Sequence, residues 1–251
     1  MHPHLFHLGH LTLQTYGALA AIGFVCALLL ALRNAKICAL EEDAVWGASL
    51  TAIVGTLLLS RALLVFQNLK AFRTFPLLIL TLPTVTRFGL AASILCGLAY
   101  ARYRHLPTRP LGDAVAPAAA LLAAFLHLGD LMSGNDIGTA TLSPWGKLIP
   151  SLHSANGVGS YPVALYGTLA FAVIALAATL YLPHRDHAGE VLGAVVLLAA
   201  STRFLLDLLR PESIEAATLF LGLRLDQWLL LCIVVSAGTL LLRPKERLHA
   251  Q

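Results

Sequence analysis

Long apolar runs separated by short polar ones set the frame of this chain. Seven stand out: 11–32, 45–65, a broken third of 75–82 and 88–100 interrupted by Pro83 and Arg87, then 115–132, 162–182, 191–209 and 225–242. Most approach the length of about 20 residues that a helix needs to cross a hydrocarbon core. The 75–82 piece is too short to span; it is expected to lie in the interface or re-enter, which is tolerated where protein buries the backbone. The longest polar stretch, 133–160, is rich in Gly, Ser, Asn and Thr. It is expected as an outward-facing extramembrane loop or cap after the fourth helix. The pattern predicts an all-α integral membrane protein of about seven transmembrane helices, one polytopic domain over 1–251, with no internal repeat.

Composition removes the soluble alternative. Of 251 residues, 58% are hydrophobic and 12% charged, against about a quarter charged in a soluble domain. Lipid must cover the surplus apolar surface. The net charge of +4 is scattered over loops, and no basic stripe interleaves with aromatics, so nucleic acid is not an expected partner. Sorted by alternate loops, Arg33, Lys36, Arg102, Arg104, Arg109, Arg185 and the basic residues after 242 share one side, and a smaller set including Lys70, Arg73, Arg87, Lys147, Arg210 and Arg224 shares the other. The positive-inside bias then puts the N-terminus and the 133–160 loop outside and the C-terminus in the cytoplasm. Cys26, Cys38, Cys96 and Cys232 are far apart and mostly inside apolar runs, which suits packing better than disulfides or metal. His2, His4, His7 and His10 fit no ligand pattern, so no metal or cofactor is expected. The N-terminus lacks the basic start and cleavage site of a signal peptide, and the first apolar segment is expected to be retained.

A few polar residues interrupt the apolar runs. Arg61 falls near the outer end of the second and Arg203 inside the sixth, where a charge costs on the order of 3 kcal/mol to insert. Arg203 precedes Asp207 by four residues, so the two share a helix face and could form a buried ion pair. Equally, Arg203 could aim into a cavity and bind an anion such as a lipid phosphate. His127 and Asp130 share a face at the end of the fourth run, where His is either an acid or base or a plain helix-end residue. Gly129, Gly134 and Gly138 loosen the backbone there.

Ordered motifs carry a resemblance. The opening His2-Pro3-His4-Leu5-Phe6 through Tyr16-Gly17, then Ser60-Arg61-Ala62-Leu63, Asp113-Ala114-Val115-Ala116-Pro117, Pro144-Trp145-Gly146, Tyr161-Pro162-Val163-Ala164-Leu165-Tyr166, Arg203-Phe204 through Asp207 and Arg210, and Gln227 follow one another along the chain. In order and spacing the chain resembles the prolipoprotein diacylglyceryl transferases of the bacterial inner membrane. That resemblance implies transfer of a diacylglyceryl group from phosphatidylglycerol to the lipobox cysteine thiol of a prolipoprotein signal peptide, with arginines holding phosphate and a base taking the thiol proton. It implies catalytic roles for Tyr16, His127 and Arg203, and lipid or peptide contacts for Arg61, Arg87, Asp130, Gly138, Tyr166 and Gln227.

The chain departs from the family pattern at its centre. The signature G-R-x-G-N reads Leu126-His127-Leu128-Gly129-Asp130, so His127 stands for an arginine and Asp130 for an asparagine. Phe88 stands for the third-segment histidine, Ala199 for a tyrosine and Gly167 for a glutamate. His127 is then a substitute cation or a substitute base, and its place in the arginine's slot favours the cation. The competing functions are a non-catalytic or altered relative that binds phospholipid or signal peptide, and a small-solute transporter, which would more often show repeats.

Overall fold

In the computed structural model of the chain, residues 4–8, 11–69, 87–134, 136–141, 159–210, 218–220 and 223–242 are described. Among them run seven helices: α1 Thr15–Ile37, α2 Glu42–Gln67, α3 Arg87–Tyr103, α4 Thr108–Ser133, α5 Val163–Tyr181, α6 Glu190–Leu208 and α7 Leu225–Leu242. Segments 15–37, 42–66, 108–133, 163–184 and 190–208 are long and apolar enough to cross a bilayer. α3, at 17 residues, and the Gln227–Thr239 core of α7 are apolar but shorter. The 75–82 segment and positions 142–158 of the polar loop lie outside the described residues.

Three two-stranded pairs accompany the helices: β1 His4–Leu8 with β2 Leu11–Gln14, β3 Ala140–Thr141 with β4 Gly159–Ser160, and β5 Thr218–Phe220 with β6 Leu223–Arg224. The first apolar run therefore divides. Leu11-Thr12-Leu13-Gln14 alternates with period two and pairs antiparallel with β1, and the helix begins only at Thr15. The β3–β4 pair brings the two ends of the polar loop together.

The interior is built of small residues and the outside of large ones. Ala27, Ala31, Ala35, Ala114, Ala116, Ala118, Ala120 and Ala124 are buried, while Val25, Leu29, Leu58, Leu98, Val173, Leu176, Leu205 and Val235 point outward. This inversion of a soluble core is the arrangement lipid allows, because tails solvate Leu as well as another helix does and close backbone approach supplies the packing. Glycines mark the closest approaches: a Cβ on Gly23 would sit 2.5 Å from Phe125, and one on Gly55 2.6 Å from Cys96.

α4 is the central helix, packed against α1, α5 and α6; α2 pairs with α3, and α7 lies on α6. Tyr16 meets Gly129 and Asn34 meets Ala114, so α1 and α4 are antiparallel. Gly167 meets His127, which makes α5 antiparallel to α4, while Gly112 meets Leu192, which makes α6 parallel to it. The starts of α1 and α5 thus lie at the same end of the bundle as the ends of α4 and α6.

At the opposite end Asp113 is fully buried. Its carboxylate accepts from the backbone N–H of Gly189 (2.6 Å) and Leu192 (2.9 Å) and from Arg185 Nη1 (3.1 Å). Gly189 is the N-cap of α6, at φ +95°, so a side chain of α4 caps another helix's first turn. Asn34 Nδ2 donates to Ala114 O at 3.1 Å, and Arg185 Nη1 also reaches Cys38 Sγ at 2.9 Å.

A candidate active site at one end of the bundle

The end of α4 is where polar groups converge. Pro117 is accommodated inside α4, which continues to Ser133 and stops at Gly134 in the left-handed region (φ +78°). Two residues on, Asp136 also has positive φ, +57°, a conformation that Asp tolerates better than most residues. The chain then turns back over the bundle. Gly138 N–H donates to Tyr161 O (3.0 Å), Thr139 N–H to Leu209 O (2.8 Å) and Tyr161 N–H to Thr139 O (3.1 Å). A Cβ on Gly138 would lie 2.7 Å from Tyr161 O and 2.8 Å from Leu209 O. Only glycine lets these three backbones cross, and the crossing pins the loop carrying Asp136 to the start of α5 and the end of α6.

Asp136 faces Arg210 just beyond α6. Nε and Nη2 of Arg210 donate to the two carboxylate oxygens at 2.5 and 2.6 Å, the planar fork that a guanidinium presents to a carboxylate. Nη1 of Arg210 also donates to the buried Asp207. Burial alone would push Arg210 down, but its hydrogen bonds to Asp136 and the charges of Asp136 and Asp207 outweigh it and raise the guanidinium above its ordinary value.

The expected Arg203–Asp207 pair exists, with Nη2 3.5 Å from Oδ1. Arg210 is nevertheless the closer partner of Asp207, and Arg203 remains 32% exposed. Arg203 thus keeps a face toward the surroundings while its neighbour carries the structural pairing.

His127 sits beside this network. Its ring stacks on Phe171 of α5, with centroids 5.4 Å apart and planes at 15°. A Cβ on Gly167 would fall 2.7 Å from ring atoms Cγ and Nδ1, so the α5 backbone is one wall of the imidazole's slot. Nδ1 is shielded from solvent, makes no hydrogen bond among the described residues, and faces Asp136 Oδ2 at 3.9 Å. The ion-pair partner of His127 is therefore Asp136, nine residues on, rather than Asp130 one turn away. Asp130 instead lies near Tyr16. Donor atoms of His127, Asp130 and Asp136 fall within 4.8 Å of one another. Arg210 already holds both Asp136 oxygens of this trio.

The remaining expected residues fall on other helices. Tyr16 opens α1 against Gly129. Arg61 is half-buried six residues before the end of α2, after the fully buried Ser60. Gln227 is buried in the first turn of α7. Arg87 opens α3, and its side chain lies outside the described residues. Tyr166 lines an open apolar groove of about 480 Å³ between α5 and α6, with Leu169, Val173, Leu198 and Thr202. The structure adds Asp136 to the expected set and gives Arg210 a place beside it. The one sequence signal for Asp136 was an acidic residue in the first polar turn after a glycine-capped helix.

The profile of the prolipoprotein diacylglyceryl transferase family matches residues 3–243. A phosphatidylglycerol–prolipoprotein diacylglyceryl transferase of Geobacter sulfurreducens is 27% identical over 224 residues, covering 86% of this chain and 85% of its own length. One of the same name from Clostridioides difficile is 26% identical over 218 residues, covering 83% of each chain. Another, from Idiomarina loihiensis, is 28% identical over 161 residues, covering 64% of this chain and 59% of its own.

Proposed function

The chain belongs to the prolipoprotein diacylglyceryl transferase family, a multi-pass membrane family, and we propose that it transfers a diacylglyceryl group from phosphatidylglycerol to the cysteine thiol of a prolipoprotein signal peptide. The observation that best supports this is Arg203, a partly exposed guanidinium at the polar end of the bundle, next in sequence to Thr202 of the apolar α5–α6 groove. A lipid whose phosphate meets Arg203 would lay a tail along Tyr166, Val173 and Leu198 without leaving the hydrocarbon.

The site's residues divide by chemistry. Arg203, with Arg61 and Arg87 nearby in the bundle's order, neutralises the donor phosphate and the charge that grows on it as glycerol phosphate leaves. Tyr16, Tyr166 and Gln227 supply neutral hydrogen bonds to headgroup or peptide. Asp130, close to Tyr16, orients that phenol. Gly138 acts through the backbone crossing that carries Asp136 to the site.

The resemblance to the family implies the inner membrane, and the distribution of Lys and Arg supports the site end and N-terminus outside and the C-terminus in the cytoplasm. Cysteines introduced at Asn156 and Glu246 should label from opposite sides; labelling of both from one side overturns the orientation. Complementation of a strain depleted of its own transferase, with the lipoprotein checked for the diacylglyceryl mass increment, tests the activity. Survival with modified lipoprotein is expected, and absence of the increment with the protein present in the membrane overturns it.

A further inference from the structure

We propose that His127, oriented by Asp136, is the base that takes the acceptor thiol's proton, so that this chain holds its base on α4 within a dyad anchored by Arg210. The inference rests on the transfer reading above. It departs from the cation role that the position of His127 alone favours.

Three observations carry it. First, the place is already cationic: Arg203 and Arg210 both act on His127, and the Arg203 guanidinium is partly exposed. A third permanent cation would add repulsion where two guanidiniums already serve. Second, the ring is held as a base needs to be held. Phe171 on one face and the Gly167 backbone at its edge fix its plane, and Nδ1 is turned inward to the Asp136 carboxylate. A neutral imidazole with its N–H directed at a carboxylate presents the lone pair of Nε2 outward, which is the tautomer a general base requires. Third, Asp136 cannot swing away, because Arg210 grips both of its oxygens and Asp207 holds Arg210 in turn. Among the described residues, the charged and titratable groups around the imidazole are Asp136 and Arg210 from the segments after α4 and α6, Arg203 and Asp207 from α6, Asp130 on its own helix and Tyr16 from α1.

The step balances without a further reactant. The thiol S–H bond breaks and its proton goes to His127 Nε2. The sulfur's electron pair forms the C–S bond to the glyceryl carbon as that carbon's bond to the phosphate oxygen breaks. Glycerol phosphate departs with that pair, and the imidazolium returns its proton to the departing phosphate or to water. Asp136 touches no substrate and is a positioning residue.

The test is a pH–rate profile of the purified protein in detergent, with phosphatidylglycerol and a lipobox peptide. Activity should rise with pH and level off once the imidazole is neutral. His127→Gln, with an unchanged unfolding temperature, should lower kcat about 10²-fold or more, leave the KM for lipid within a few-fold, and abolish the rising limb. Asp136→Asn should lower kcat by a smaller factor and move the limb to lower pH, since a facing negative charge that favoured the imidazolium is gone. Asp136→Glu should recover part of the loss. Undiminished transfer by His127→Gln overturns the base assignment and leaves the transfer reading intact. So does activity that falls with rising pH and survives in His127→Arg, the behaviour of a substitute cation. No transfer by the unaltered protein at any pH overturns the transfer reading itself and the base role with it.

Discussion

The two ends of α4 present the same chemistry, a carboxylate held by an arginine, in opposite states of completion. Asp113, at the first turns, is fully buried, takes three N–H donors, and joins α4 to α6 through Gly189, Leu192 and Arg185. At the far end, Asp136 and Asp207 are likewise bound to Arg210, yet Arg203 stays one-third exposed and His127 Nδ1 faces its carboxylate at 3.9 Å without a hydrogen bond. A buried polar group whose partners are all supplied by the protein has nothing left to offer a substrate. A cluster that keeps one cation partly exposed and one imidazole nitrogen without a hydrogen bond among the described residues does. The closed end is a lock and the open end keeps this exposure, and their residue types alone would not separate them.

Breaking the closed end should cost most in stability. Asp113→Ala leaves the Arg185 guanidinium without its carboxylate and the first turn of α6 without its cap, and should destabilise by about 3–5 kcal/mol. Thermal unfolding in detergent reads this directly; a shift within a degree or two would mean that Asp113 is no lock.

Breaking the open end should do the reverse, sparing stability and costing activity. Arg203→Lys keeps a charge but loses the planar fork. It should reduce diacylglyceryl transfer on the order of 10²-fold, nearly as far as Arg203→Ala, with little change in unfolding temperature. A mild effect of the lysine variant would return Arg203 to a structural pairing with Asp207.

Gly167→Ala sharpens the comparison at one atom. The new Cβ would sit 2.7 Å from the imidazole, and a ring stacked on Phe171 must shift to make room. The expected loss is about tenfold in kcat, in line with small misplacements of a reacting group, with phosphatidylglycerol binding by equilibrium titration unchanged.

The smallest effect belongs to Cys38 at the closed end. Burial pushes its thiol up from its ordinary value, more than Arg185 pulls it down. A group whose folded value is raised contributes stability that is full below the unfolded value and is lost as pH rises through the folded one. Unfolding temperature should therefore fall slightly at alkaline pH, and Cys38→Ala should remove that part of the slope. A slope identical in the variant would assign it to other groups.

The membrane character and the helix positions were legible along the chain because they rest on local runs of apolar residues. Four of the seven runs match a helix to within three residues at each end; 88–100 of the broken third falls inside α3, and α4 begins seven residues before the fourth run. The first differs because Leu11-Thr12-Leu13-Gln14 alternates with period two and finds a strand partner in β1. The expectation of about seven crossings became seven helices, five of them long and apolar enough to span.

The sequence also put Arg61 near the outer end of its helix, His127 and Asp130 on one face at the end of theirs, and Arg203 on one face with Asp207. Which of them touch could not follow. Helices that are apolar nearly all round carry no stripe to fix their rotation, so nothing local turns His127 toward Asp136 and Gly167, or Asp113 toward Gly189 some 76 residues away. Asp130 was the nearer carboxylate to His127 in sequence, but the turn at Gly134 and Asp136 and the three-strand crossing at Gly138 bring the more distant one to its ring. Partner choice across helices depends on rotation and on loop geometry, and only the packed molecule sets both.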